Sequence, residues 1–534
     1  MFTSMPAVAD LIVSRLRDAG VTHLFGVPGG GSNLNLIEAA GRAGLPFVLT
    51  STETSGALAA MAQAEIAGRV GSCLTTLGPG AASVVNGVAC AFLDRAPLVV
   101  FTDSHPAAAR EMAHQRLDHA ALLGPVTKWS ATLTPDSASE TLDRAIAMAS
   151  APPPGPVHVD CPGDVAAAMA PAPATAMDVG AERDRPSPTP RFDALLSRSR
   201  KPLLLVGLGA RKTGDAAAIR ALCDGRGVPA MVTYKAKGVV PDHHPLFAGV
   251  FTNAVIEEAL LDESDLLIGV GLDPVELIPR PWTRAQPIVY CGSWRVDDRH
   301  VPFAAQLIAD VPAAIDQITA ALPASDWNPD RVRAAVVEQR RRISAPGDGL
   351  TAQRVVEVTA RQLAPHCRVT VDAGAHMFPA TILWPVADPN GMLISNGLST
   401  MGFALPAAIG AGLLDRSRPV VALTGDGGLL MCVAELLTAV RERLRVIVIV
   451  FSDASLSLIE IKQQQRRYQP AGVALGEVAW PALAGSFGAA AWCASNESEL
   501  ERCVERAFGC DGPALIEARI DRSNYGRTLR AVRG

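Results

Sequence analysis

Hydrophobic positions along the chain follow two alternating rhythms. Short, wholly apolar runs such as Val420-Val421-Ala422-Leu423 and Val446-Ile447-Val448-Ile449-Val450-Phe451 read as buried strands. After the first run, Leu429, Val433, Leu436, Leu437 and Val440 recur at helical spacing, so a strand passes through a glycine turn into an amphipathic helix. The same alternation starts near the N-terminus. A helical pattern from Ala7 to Ala19 ends at Gly20, and the strand Val21 to Val27 is broken by Pro28-Gly29-Gly30-Gly31. A helix around Leu34 to Ala43 leads to the strand Phe47-Val48-Leu49, with Thr52-Glu53 just past its end. The helix Gly56 to Gly68, the strand Ser72 to Thr76 and the turn Gly78-Pro79-Gly80 come next. The helix Ala81 to Ala91 and the strand Pro97 to Thr102 follow, and Gly155 to Asp160 closes the unit. Strands alternating with helices predict βαβ units and parallel sheets.

Residues 166–190 are rich in alanine and proline and carry no apolar period, which predicts a linker. A second α/β unit begins at Pro202-Leu203-Leu204-Leu205-Val206-Gly207 and runs through Asp265 to Gly271. Its Gly207-Leu208-Gly209 turn hints at a dinucleotide fold but lacks the full glycine fingerprint and its acidic partner. A charged stretch from Asp326 to Asp348 leads into a third unit ending near Ile520. The expected fold class is α/β, with three doubly wound parallel-sheet domains at 1–165, 190–325 and 350–522 and a C-terminal tail at 523–534.

Bulk properties narrow the class. The 534 residues suit about three domains of ~150–180 residues. With 49% hydrophobic and only 19% charged residues, the chain can fill sizeable cores. A net charge of −5 gives no reason to expect nucleic acid or an anionic membrane as partner. The ten cysteines are scattered without a Cys-x-x-Cys pair, as free thiols in a reducing cytoplasm would be. Early charges at Asp10, Arg15, Arg17 and Asp18 speak against a signal peptide. No apolar run reaches the ~20 residues of a membrane span, so a soluble cytoplasmic protein is expected.

The chemistry concentrates at strand ends. Asp426 lies in Gly425-Asp426-Gly427-Gly428, and Asp453 follows the run ending at Phe451. Parallel strands present ligand sites at their carboxyl ends, so both carboxylates should face one crevice. Two carboxylates beside a glycine-rich helix start suit a divalent cation bridging a diphosphate.

These motifs together resemble thiamine-diphosphate-dependent enzymes, specifically the acetolactate synthase-like group of 2-oxo acid decarboxylases and carboligases. The resemblance rests on Phe25-Gly26-Val27-Pro28-Gly29-Gly30, the Glu53 strand end and Leu77-Gly78-Pro79-Gly80-Ala81. Pro125 to Trp129, Met401 to Gly410 and Gly425-Asp426-Gly427 continue the ordered set across nearly the whole chain. It implies a pyrimidine-binding domain, a central domain and a diphosphate-binding domain. It also implies thiamine diphosphate with Mg²⁺, held between subunits of a homodimer or homotetramer.

Residue by residue, the resemblance makes Glu53 the carboxyl that activates the cofactor's pyrimidine, with Thr52 where relatives usually have histidine. Asp426 and Asp453 become metal ligands, completed by the Ser455 carbonyl; Asp453 stands where the family has asparagine, and its alternative is a helix cap. Pro28, Gly29, Gly78, Gly425, Gly427 and Gly428 form the cofactor's glycine-rich surroundings, the last two by donating backbone N–H groups to the diphosphate. His376, in Asp372-Ala373-Gly374-Ala375-His376, matches half of a phosphate-side glutamine–histidine pair or is a buried structural histidine. Met401 matches the residue that bends the cofactor, against the plain alternative of a core methionine. Ser399 would hold the pyrimidine amino group through its main chain. Gln115 matches a substrate-side glutamine. His114 before it is either an acid–base group or a solvated loop residue, and Ser32 is a candidate for a substrate carboxylate. Leu272-Asp273-Pro274 stands where flavin-dependent relatives carry an arginine followed by aspartates, a departure that argues against FAD.

The implied activity is decarboxylation of a 2-oxo acid, pyruvate by default, with ligation to a second carbonyl compound. One alternative is a non-ligating 2-oxo acid decarboxylase or C–C lyase of the same family. Another is a catalytically silent regulatory or binding homologue. The basic C-terminus from Asn524 to Arg533 reads as a frayed tail or, alternatively, a lid over the site.

Overall fold

The apolar runs do become strands buried on both faces. In the computed structural model, which describes residues 6–109, 113–170, 190–297, 299–344, 347 and 349–533, three six-stranded sheets are assembled wholly from parallel pairs. Helices flank each of them, as parallel crossovers require. The fold is the expected α/β class.

The first sheet comprises β1 Leu24–Val27, β2 Phe47–Leu49, β3 Gly71–Thr75, β4 Leu98–Ser104, β5 Ser130–Thr132 and β6 Pro156–Pro162, in the order β2-β1-β3-β4-β6-β5. The second comprises β7 Pro202–Val206, β8 Ala230–Val232, β9 Phe247–Val250, β10 Leu266–Val270, β11 Ile288–Gly292 and β12 Phe303–Ile308, in the order β12-β11-β10-β7-β8-β9. The third comprises β13 Arg368–Val371, β14 Met392–Ile394, β15 Val420–Gly425, β16 Val446–Ser452, β17 Ala490–Ala494 and β18 Ala514–Arg519, in the order β14-β13-β15-β16-β18-β17. The first and third sheets thus share one winding. In both, the chain reverses direction across the sheet beside the first strand, opening a crevice at the carboxyl edge between β1 and β3 and between β13 and β15.

The chain divides into two compact units. One is Met1–Ala181 with Leu405–Ser417 and Cys432–Leu444; the other is Glu182–Ala404 with Arg418–Met431 and Arg445–Gly534. In the first unit the helix Glu53–Ala67 is buried all round from Ser55 to Glu65, the pattern of a helix enclosed by protein. The helix Ala404–Leu414 packs on it so closely that a Cβ on Gly410 would lie 2.2 Å from the Ala59 carbonyl oxygen. Gln63 Nε2 also donates to the Gly410 carbonyl at 3.0 Å.

Four expectations change. The helix after Gly428 is interrupted: Asp426–Leu430 and Glu435–Arg441 flank a turn in which Met431, Glu435, Leu436 and Leu437 each bond three residues back rather than four. The charged stretch 326–348 contains a packed helix, Pro329–Ile343, which buries Val332, Ala335, Gln339 and Ile343. Its many arginines masked an apolar stripe. The C-terminal stretch is a helix, Tyr525–Arg533, not a frayed tail. Tyr525, Thr528, Leu529 and Val532 are buried on one face, at the three- and four-residue spacing of an amphipathic helix. In the linker 166–190, residues 171–189 lie outside the described residues, Met169 pairs with Ala7, and a helix starts at Pro190.

The Gly207-Leu208-Gly209 turn is spent internally. Glu276 Oε2 accepts from Leu208 N at 2.8 Å and Glu276 Oε1 from Thr233 Oγ1 at 2.5 Å, and a Cβ on Gly209 would lie 2.8 Å from the Trp294 ring. None of the ten cysteines forms a disulfide. No described helix is long and apolar enough to cross a membrane.

Gly410→Leu should overpack the contact with Ala59, costing roughly 1–3 kcal/mol and lowering the thermal midpoint by several degrees. Gly410→Ala should cost less. Calorimetry of the two variants checks this; equal midpoints for wild type and Gly410→Leu would contradict the packing described.

Candidate active site

Strand β15 is buried to Thr424 and delivers Asp426 to the start of a short helix. Asp426 Oδ2 accepts from Asp453 N at 3.0 Å and Ala454 N at 2.6 Å, tying the end of β15 to the loop after β16. Its other oxygen accepts from Gly427 N at 2.8 Å, so one donor expected to face a phosphate is engaged locally. Gly427 must lack a side chain, because a Cβ there would lie 2.6 Å from Leu456 Cδ2. Asp453 accepts from Ser455 N at 3.0 Å and Ser457 Oγ at 2.6 Å.

Both acids are perturbed. Burial raises the Asp426 carboxyl above its ordinary range, against the pull of its backbone N–H partners. Asp453 is pushed up to about 6, first by burial and then by the Asp426 charge, opposed by Ser457 and the Ser455 amide. Two neighbouring carboxylates that resist ionisation are poised to accept a cation.

A cavity of about 280 Å³ joins these groups. Asp426, Asp453, Ser455, His376, Ser399 and Met401 line it, together with Gly425, Gly427 and Gly428. His376 is 2% exposed and stacks on Phe451 at 4.9 Å, and burial lowers it to about 4, leaving the ring neutral. Its Nε2 is buried with no hydrogen-bond partner. The C-terminal helix adds Tyr525 and Arg533 to the wall, the guanidinium lying over the Phe378 ring at 5.2 Å. That stretch therefore lines the cavity as packed structure.

At the carboxyl edge of the first sheet, the other predicted residues converge. A Cβ on Gly29 would strike Thr76 Oγ1 at 2.2 Å, and one on Gly80 would lie 3.2 Å from Glu53 Oε1. Glu53 begins the buried helix, capped by Thr52, whose hydroxyl accepts from Ser55 N at 3.1 Å. Gln115 (φ +60°) sets its carbonyl 2.4 Å from where a Gly78 Cβ would be. His114 is exposed, and its carbonyl faces His105 Nε2 at 2.8 Å. Pro28 is exposed at the mouth of the glycine loop. Ser32 does not face a ligand: it is fully buried and donates to Asp103 Oδ1 at 2.9 Å. Gln115, Ser399 and Ala454 all hold positive φ without being glycine, strain of the kind that gathers at functional sites.

Sequence reasoning missed the supports. Asp372 is fully buried and accepts from Ala373 N, Phe403 N, Gly402 N and Thr424 Oγ1 at 2.9–3.2 Å, linking the Met401 loop to the end of β15. Glu435 Oε1 accepts from Ser51 N at 2.9 Å and Thr52 N at 3.2 Å, just ahead of Glu53. Neither has a local signal: Glu435 lies 384 positions from Ser51.

Comparison with known proteins agrees with this layout. Family models match residues 6–122 as thiamine pyrophosphate enzyme, N-terminal TPP binding domain, 192–318 as the central domain, and 372–518 as the C-terminal TPP binding domain. The chain is 27% identical to acetolactate synthase of Bacillus subtilis (strain 168), over 97% of this chain and 93% of that protein. It is 28% identical to the catabolic acetolactate synthase of Raoultella terrigena, over 96% and 95% respectively. It is 29% identical to a probable 2-ketoarginine decarboxylase of Pseudomonas aeruginosa, over 95% and 93%.

Glu435→Leu should leave the Ser51 and Thr52 amides without their acceptor, at about 0.5–1.5 kcal/mol for each hydrogen bond lost. Glu435→Gln keeps an oxygen for them and should lose much less. Thermal unfolding compares the two; equal losses would deny the carboxyl this role.

Proposed function

Because the chain belongs to the thiamine pyrophosphate enzymes of the acetolactate synthase type, we propose that it decarboxylates a 2-oxo acid and joins the product to a second carbonyl compound. Pyruvate is the default donor. The observation that carries this reading is similarity along almost the whole chain to acetolactate synthases of several organisms. A second reading, decarboxylation without ligation, is favoured by the equally similar 2-ketoarginine decarboxylase.

The cavity residues fit a metal-bound diphosphate. Carboxylate oxygens of Asp426 and Asp453 suit Mg²⁺, a hard cation preferring oxygen, with the Ser455 carbonyl as a third ligand. Gly425, Gly427 and Gly428 leave room beside them, and the unpartnered His376 Nε2 supplies a polar contact that burial otherwise wastes. When bound, thiamine diphosphate supplies a nucleophilic carbon and an electron sink for the bond that breaks. Glu53, set by the Thr52 cap and the Gly80 turn, holds and moves the proton at the pyrimidine ring nitrogen. Met401 and the Ser399 main chain, which line the cavity, would hold the cofactor there. Pro28, Gly29 and Gly78 shape the pyrimidine side, and Gln115 and His114 face the substrate there. Leu272-Asp273-Pro274 departs from the arginine and aspartates of flavin-dependent relatives, so FAD is left out of this proposal.

An assembly of at least two chains belongs to the proposal. Leu430 and Met431 remain 39% and 60% exposed, adjacent apolar side chains of the kind that mark an interface. A cytoplasmic location accords with ten cysteines that form no disulfide.

Incubation with pyruvate, thiamine diphosphate and Mg²⁺ tests the reaction. Acetolactate supports ligation and acetaldehyde supports the second reading; neither product from a panel of 2-oxo acids overturns both. Glu53→Gln should slow cofactor C2–H exchange about 10²- to 10⁴-fold, the usual worth of a positioned acid–base group. No acceleration over free cofactor by the wild type would identify a catalytically silent relative.

Asp453 also predicts a pH dependence. A proton on this carboxyl competes with the cation, so Mg²⁺ affinity should fall up to tenfold per pH unit below about 6 and level off above it. Asp453→Asn should flatten this dependence, and calorimetric Mg²⁺ titrations between pH 5 and 8 would show it.

A further inference from the structure

Two buried histidines and a mostly buried aspartate near the first crevice take no part in the chemistry above. His119, His158 and Asp160 place one ligating atom each within 4.8 Å of the others, close enough to suit a cation. Their hydrogen bonds assign them otherwise. His119 Nε2 accepts the Gly78 N–H at 3.1 Å, so that nitrogen carries no proton. The proton of the neutral ring then sits on Nδ1, 2.8 Å from Asp160 Oδ1. Thr102 Oγ1 donates to the same oxygen at 2.5 Å and lies 2.7 Å from His158 Nε2, while Ser130 Oγ lies 2.7 Å from His158 Nδ1. Protons running from Ser130 to His158, from His158 to Thr102, and from Thr102 to Asp160 satisfy every one of these groups. No ring nitrogen is left over for a metal.

Asp160 serves this chain as a charge. Burial alone would raise its carboxyl, but the bonds from His119, His158 and Thr102 outweigh burial and hold it well below the usual range. A carboxylate fixed at Nδ1 selects the histidine tautomer whose Nε2 accepts.

The line ends at a turn that matters. Gly78 holds φ +60° and ψ −100°, outside the region side chains tolerate. Its absent Cβ faces the Gln115 carbonyl at 2.4 Å, and two residues later that of Gly80 faces Glu53 Oε1 at 3.2 Å. One backbone amide thus anchors a segment that lies against the Gln115 backbone and the Glu53 carboxyl.

We propose that Asp160 and His119 are positioning residues: Asp160 fixes the His119 tautomer, and His119 Nε2 holds the turn that sets Gly78 against Gln115 and Gly80 against Glu53. Neither touches reacting atoms; both act through Gly78, on the reading of Glu53 and Gln115 given above.

Nitrogen-15 NMR of histidine-labelled holoenzyme reads the tautomer directly, and hydrogen exchange of a peptide containing Gly78 reads the anchor. A protonated Nδ1 and bare Nε2 are expected at His119. His119→Phe, with similar bulk and no acceptor, should speed Gly78 exchange ten- to hundredfold and lower kcat similarly, with cofactor affinity within twofold. His119→Gln should recover most of both, and Asp160→Asn should mix the tautomers. A protonated Nε2 in the wild type overturns the proposal without any variant having to fold. So does unchanged exchange and kcat in His119→Phe, or a stoichiometric zinc ion removable by chelator. If instead the reading of Glu53 fails, Glu53→Gln keeps its C2–H exchange while the NMR and Gly78 results still stand.

Discussion

Two carboxylates buried against one another at the mouth of a parallel sheet set the terms for the rest of the second unit. Asp426 and Asp453 cannot both ionise comfortably beneath the cavity floor, since burial and mutual repulsion oppose them. The backbone absorbs part of that cost. Amides of Gly427, Asp453 and Ala454 converge on Asp426, and Ser457 and the Ser455 amide converge on Asp453. A fold that spends so many donors on two acids keeps them where a cation can complete the neutralisation.

The glycines follow from the same constraint. Gly427 has no space for a Cβ because Leu456 closes in, and Gly428 has none because Asp372 lies 2.3 Å from that point. Asp372 in turn accepts four hydrogen bonds and binds the Met401 loop to the β15 end. The cavity is thus held by a buried polar frame, while the apolar sheet beneath supplies rigidity. Such a frame is stable only when fully satisfied, which leaves His376 Nε2 conspicuous as a buried polar atom with no protein partner.

The first unit repeats the strategy with the same strand order. Its crevice also opens beside the first strand, and its glycine loops are pinned by side chains from elsewhere in the unit. Asp103 holds Ser32, Glu435 holds the start of the Glu53 helix, and His119 holds Gly78. In each case an acceptor reaches a backbone amide that a tight turn leaves without a partner. The chemistry of the strand ends is short-range; its alignment is borrowed from distant residues.

Sequence alone determined the α/β class, the order of its strands and helices, and most residues at the two crevices. Period, glycine placement and strand-end carboxylates are local signals, so Asp426 and Asp453 were legible where they stand, while Glu53 was singled out through the family resemblance. It could not show that the helix after Gly428 breaks at Met431, because the apolar spacing runs on unchanged through the turn. It hid the packed faces of Pro329–Ile343 and Tyr525–Arg533 among their many arginines. Ser32 looked like a ligand contact until its hydroxyl was seen bonded to Asp103. Glu435, His119 and Asp160 carry no motif at all, and the motif that contains Asp372 drew the eye to His376 instead. Their roles exist only once residues up to 384 positions apart are brought together, since a buried hydrogen bond is a property of two groups and the desolvated space they share.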